Sequence, residues 1–267
     1  MKVDTTYNKG VSQVNEDAFL VADPVFGVFD GVSGLEPYKN EQGQTGASIA
    51  SSLARDVFSG SAKSLMETAV EANDAIGNAM RKNGIDAARK TAQWATTASV
   101  VKIHDGTFDW LKIGDSFIMT ILLDGSFQLI GNNYDYDLEI MILWQELAQK
   151  QTENIRDVLN DHMLKARSGV ENFGDLNGEK GIEKFLEQGT ATLDDVAHII
   201  LFTDGLRIPK KDPRQPDDFK MFVDLFLEGG LQKVRDFVRN QEISDPKCWA
   251  YPRFKQHDDI TAVALSF

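Results

Sequence analysis

The chain has 267 residues, 42% of them hydrophobic, enough to bury a core as one large domain or two small ones. Its formal net charge of -13 argues against nucleic acid as a partner, because phosphate contacts require Lys and Arg. A single cysteine, Cys248, excludes an internal disulfide framework. No apolar run reaches the roughly 18 residues of a membrane span, and "MKVDTTYNKG" carries no leader-like segment. A cytoplasmic location with no membrane partner is expected.

In chain order, "NEDAFLVA" and "VFGVFDG" predict short strands. "QTGASIASSLARDVF" then places Ile49, Leu53 and Val57 at helical spacing. "SAKSLMETAVEANDAIGNAMRK" predicts a second helix with Leu65, Met66, Ala69, Val70, Ala72, Ile76 and Met80 as its apolar positions. Ser61 or Ser64 caps it, and Glu67 stands at capping-box distance from Ser64. Residues 96–130 hold four strand signals in quick succession and predict an antiparallel meander. Beyond 132 the strand signal fades. "LEIMILWQELAQK" and "ENIRDVLNDHMLKA" predict helices, and "SGVENFGDLNGEKG" a loop. A strand follows at 198–203, then a proline-rich loop, a helix in "FKMFVDLFLEGGLQKVRDFVRN", and a last strand in "DITAVALSF". The order is compatible with one domain over 1–267, its strands packed as a sandwich with helices on the outer faces.

Four Asp-Gly pairs punctuate this pattern. Those at 105–106 and 124–125 lie between strands at hairpin distance and predict type I′ turns. Asp30-Gly31 and Asp204-Gly205 instead end continuous apolar runs, so two core strands each deliver a carboxylate. Glu16-Asp17, Asp115 and Asp258-Asp259 stand equally close to strand signals. Gathered at one edge of a sandwich, these groups could not all stay ionised without a cation. Oxygen donors select a hard ion, Mg²⁺ or Mn²⁺. The four histidines, His104, His162, His198 and His257, show no ligand spacing.

The ordered set "NEDAF", "VFDGVSG", "TTASVV", "IGDSF", "LFTDGL" and "DDIT" resembles the metal-dependent type 2C serine/threonine protein phosphatases, in a divergent bacterial form. The resemblance spans essentially the whole chain. It implies an α+β fold, a four-layer α-β-β-α sandwich of two antiparallel sheets flanked by helix pairs. It also implies hydrolysis of phosphoserine and phosphothreonine on a phosphorylated protein substrate, by attack of a water bridging two Mg²⁺ or Mn²⁺ ions. By the same resemblance Asp30 would bridge the ions with the Gly31 carbonyl on one, and Asp204 and Asp258 would hold the other. Asp30, Asp204 and Asp258 are thus the expected catalytic set. Glu16 and Asp17 match acidic positions that contact metal-bound water, and Asp115 one that helps to bind a third, weaker ion. Residues 132–197 correspond to the family's variable flap.

The chain departs from the family pattern at several positions. Ser12 stands where an arginine usually binds substrate phosphate, and Lys9 is the nearest candidate replacement. Val32 and Ser33 replace the usual His or Met and Gly, Phe117 replaces an Arg, and Asp259 replaces an Asn. The alternative expectation is a catalytically weak pseudophosphatase acting as a metal- or protein-binding module. "VFDGV" is also similar to the nucleophile strand of the haloacid dehalogenases, but Val28 occupies the position of the aspartate that chemistry requires.

Overall fold

The computed structural model describes residues 1–32, 34, 36–86, 89–163 and 174–267. Ser33, the end of the second helix expected after residue 132 (164–166) and the first half of the Gly-rich loop (168–173) lie outside the described residues. Strands β1 (Lys2–Asn8), β2 (Ala18–Ala22) and β3 (Val25–Phe29) precede a two-residue β4 (Gly31–Val32). Helices α1 (Gly46–Gly60) and α2 (Leu65–Lys82) follow, then β5 (Ala95–Thr96), β6 (Ala98–Ile103), β7 (Thr107–Ile113), β8 (Phe117–Leu122) and β9 (Phe127–Ile130). The chain continues with α3 (Leu138–Gln149), α4 (Ile155–Val158), β10 (Glu187–Thr192), β11 (Val196–Phe202), α5 (Phe219–Ser244) and β12 (Ile260–Ser266).

Two five-stranded antiparallel sheets result, ordered β1-β12-β11-β8-β9 and β10-β7-β6-β3-β2, with β4 and β5 as a separate pair. The period-2 geometry of a strand explains the layers. In β3, Phe26 and Val28 join Ile199, Leu201, Val263 and Leu265 in the core between the sheets. Val25 and Phe29 point the other way and pack with Ala50, Phe58 and Ile76 of α1 and α2. In β11, Ile200 and Phe202 likewise meet Phe222, Leu231 and Val234 of α5. Strands covered on both faces must be apolar throughout, and β3 is buried at all five residues.

The expected α-β-β-α arrangement is present, with local differences. The meander over 96–130 is not a single sheet. β6 and β7 belong to one sheet, β8 and β9 to the other, and the chain crosses at Gly114, whose φ of +81° only glycine adopts readily. The two hairpin turns are not type I′, which needs positive φ at both central residues. Gly106 and Gly125 have it, but Asp105 and Asp124 do not. At the second turn the Gly125 amide donates to Leu122 O and the Leu122 amide to Ser126 O, a three-residue loop with a glycine bulge.

The helices also differ in detail. The deepest face of α1 is Ala47, Ala50, Ser51, Ala54 and Phe58, while Ile49, Leu53 and Val57 flank it. Ser64 caps α2 with the full capping box to Glu67. The helix expected near 219–240 breaks at Gly229 (φ −154°) and Gly230 (φ +69°), so two segments cover the second sheet. α3 and α4 instead form a separate cluster with Cys248, Trp249 and Phe254.

Candidate functional site

Strand ends deliver the acidic side chains. Asp30 follows β3 and leaves the sheet because its carbonyl accepts from the Thr97 amide (2.9 Å) and the Thr96 hydroxyl (2.8 Å). Asp204 opens a short 3₁₀ turn after β11, and Asp258 immediately precedes β12's approach. Asp115 occupies the crossover between β7 and β8, where the Thr97 and Ser116 hydroxyls are 2.7 Å apart. Glu16 and Asp17 directly precede β2.

These groups act on one another. Burial, then the charges of Asp17, Asp204, Asp115 and Asp258, push the Asp30 carboxyl well above the usual range. Burial and the charges of Asp115 and Asp258 raise Asp204 to about 7, and its side chain shares a hydrogen bond with Asp30. Burial and Asp137 raise Asp115 to about 6. Burial, Asp259 and Asp258 raise Asp17, against the pull of the Thr203 hydroxyl, which donates to its Oδ2 at 2.9 Å. Carboxyl groups placed so close disfavour simultaneous ionisation, and a cation among them would relieve that repulsion.

The two site glycines are required by packing. Neither Gly31 nor Gly205 has positive φ. An added Cβ at Gly31 would lie 2.3 Å from Glu16 O and 2.8 Å from Ala47 O. At Gly205 it would lie 1.9 Å from Asp259 O. Main chain packs directly on main chain here, and no flexible side chain is available to yield.

Several residues that sequence patterns did not single out hold the centre in place. The Thr203 hydroxyl also accepts from the Thr261 amide at 3.0 Å, tying β11, β12 and Asp17 together. Arg239 of α5 donates from Nη2 to Asp258 O (2.6 Å) and from Nε to Asn8 Oδ1 (2.8 Å). Lys255 Nζ donates to Asp258 Oδ1 at 2.7 Å. Although burial works against its charge, Asp258, Asp30 and Asp204 hold Lys255 protonated. Arg207 stays charged against burial through Asp217, Asp135 and Asp204. Thr203 lies within "LFTDGL" and Arg207 directly follows it, whereas Lys255 and Arg239 carry no local signal.

The departures also find places. Asp259 accepts from the Gly10 amide with Oδ1 (2.7 Å) and from the Glu16 amide with Oδ2 (2.8 Å), so it anchors the loop that carries Glu16. Phe117 is a core residue stacked on Phe202 at 4.9 Å. Val32 pairs with Ala95. Lys9 is exposed in its contact with Gln13 O. Cys248 is buried in the α3–α4 cluster, and His257 and His198 are engaged with Glu242 and Ser266.

The donor set is all oxygen and its excess negative charge suits hard divalent ions. Among the described residues no three Asp, Glu, His or Cys side chains are grouped closely enough to hold an ion as they stand. The fit therefore rests on donor chemistry and charge.

A family model described as protein phosphatase 2C matches residues 6–242. No curated protein sequence matches the chain. Among solved structures, the Mycobacterium tuberculosis serine/threonine phosphatase PstP/Ppp superposes with a TM-score of 0.59 at 16% identity, covering 100% of this chain and 98% of that one. Staphylococcus aureus serine/threonine phosphatase Stp1 gives 0.62 at 12%, covering 100% and 94%. The catalytic domain of PstP in complex with two manganese ions gives 0.56 at 15%, covering 98% and 96%. At these identities the structures establish the shared fold.

Proposed function

The chain belongs to the protein phosphatase 2C family, and on that premise we propose that it is a metal-dependent phosphatase acting on phosphoserine and phosphothreonine in proteins. The observation that carries this is the gathering of Asp17, Asp30, Asp115 and Asp204 at buried strand ends, where burial and neighbouring carboxylates raise their carboxyls, with Asp258 among the charges that act on Asp17, Asp30 and Asp204. Chain 1–267 acts as one domain in this proposal, with 132–197 as its flap-like region.

Asp30 and the Gly31 carbonyl would hold one ion, and Asp30, Asp204 and Asp258 the other. Glu16 and Asp17 would orient the water shell, and Asp115 would take part in a third, weaker site. Two bound Mg²⁺ or Mn²⁺ ions supply an acidified water as nucleophile and positive charge against the phosphoryl oxygens. The chain's own residues position that chemistry. Asp259 and Thr203 fix the Glu16–Asp17 loop against β11 and β12, and Arg239 fixes the main chain of Asp258. Cys248, buried in a different cluster, is no nucleophile here.

A second reading, a pseudophosphatase that binds without turnover, draws on Ser12 and on the Lys255–Asp258 ion pair. Phosphate release from a phosphothreonine peptide and from p-nitrophenyl phosphate separates the two. Turnover with Mn²⁺ or Mg²⁺, abolished by EDTA and by Asp30→Asn in a protein that still melts cooperatively, is expected. No turnover with either ion would leave the pseudophosphatase.

A further inference from the structure

We propose that Lys255 is the side chain that binds the phosphoryl oxygens of the substrate, an inference that rests on the metal-dependent phosphatase reading. The bound ions would offset part of the charge of a dianionic phosphate ester, and a cationic side chain would hold and orient the phosphoryl oxygens that face away from them. With Ser12 in the chain, the cation must come from another element.

Among the described residues four cationic side chains border the centre, and three are committed elsewhere. Arg207 donates from Nη2 to both oxygens of Asp217 and to Asp135. Lys112 is 1% exposed and bound to Asn132 O and Asn133 Oδ1. Arg239 is divided among Asn8, Glu242 and the Asp258 carbonyl. Lys255 differs. Its side chain is 27% exposed, and among the described residues its one hydrogen-bond partner is Asp258 Oδ1.

That partner is the carboxylate expected to ligate an ion. Once its oxygens face a divalent cation, Asp258 holds the ammonium less strongly. Lys255 is then left beside the centre on a flexible four-carbon stem with three donors. The 2.7 Å bond to Asp258 Oδ1 places the ammonium directly on one of the expected ligands. Lys9, by contrast, donates to Gln13 O on the exposed loop.

The test titrates orthophosphate into the Mn²⁺-loaded protein by calorimetry and measures KM and kcat on a phosphothreonine peptide. Lys255→Gln is expected to bind Mn²⁺ at least as well as wild type, to lose about tenfold or more in orthophosphate affinity, and to raise KM with a smaller change in kcat. Lys255→Arg is expected to recover most of the phosphate affinity. A Lys255→Gln protein that binds Mn²⁺ and keeps wild-type phosphate affinity overturns the assignment. So does a loss carried by Lys9→Gln instead. Wild-type protein that binds no Mn²⁺ overturns the phosphatase reading, and this inference with it.

Discussion

Asp259→Ala tests whether the acidic loop is held by the bonds described above. The carboxylate accepts two main-chain hydrogen bonds, from Gly10 at 2.7 Å and from Glu16 at 2.8 Å, and is 4% exposed. Hydrogen bonds to a charged group contribute about 1.5–3 kcal/mol each, and a buried donor left unpaired keeps its desolvation cost. The Glu16 amide is fully buried, whereas the Gly10 amide is only partly so and water can replace its acceptor. Removing Asp259 also relieves its repulsion of Asp17, which offsets part of the loss. The net expectation is about 2–3 kcal/mol, or a melting temperature lower by about 5–10 °C for a chain of this size. Asp259→Asn should cost about half as much, because its carbonyl still accepts one bond while its amide nitrogen faces the other donor. Urea denaturation followed by tryptophan fluorescence in EDTA measures both variants. A loss below about 0.5 kcal/mol for Asp259→Ala would refute the anchoring role.

Three further outcomes follow from particular contacts. Gly205→Ala places a methyl group 1.9 Å from Asp259 O, and overpacking against main chain should cost about 3 kcal/mol or more by thermal melt. Ser64→Ala removes the α2 capping box and should cost about 1 kcal/mol with catalytic rate unchanged, read by denaturation and by phosphate release. The third concerns pH. Asp204, raised to about 7 in the folded protein, binds protons that the unfolded chain releases near its ordinary value of 3.8. Its stability contribution is therefore present below about 4 and lost as pH rises through about 7. Thermal shifts by Mn²⁺ should consequently be larger at pH 8 than at pH 6; the reverse order would contradict the assignment.

Much of this architecture was legible because the relevant residues carry periodic or positional signals. β3 and β11 are continuous apolar runs since each has a helix layer on one face and a sheet on the other. The Ser64 box is a local pattern that needs no tertiary information. β10 was missed because "EQGTAT" is an edge strand, nowhere fully buried, whose pairing with β7 supplies what its composition lacks. β1 was missed for a similar reason: it is an edge strand with one buried residue, Thr6. The change of sheet after β7 depends on Gly114's left-handed conformation, which a strand pattern does not encode. At the site, carboxylates at strand ends were recognisable from Asp-Gly and Asp-Asp punctuation. Lys255 and Arg239 were not, because their role arises from loops and helices brought together across the sequence.

The most direct measurement is calorimetric titration of Mn²⁺ into metal-free protein near pH 7, in two buffers of different ionisation enthalpy. Because burial and neighbouring carboxylates raise Asp30 and raise Asp204 to about 7, ion binding near pH 7 is expected to release protons. The account predicts two ions bound, a buffer-dependent heat that reports proton release, and loss of both in Asp30→Asn. A folded wild-type protein that takes up no Mn²⁺, or takes it up with no proton release and equally well in Asp30→Asn, would contradict it.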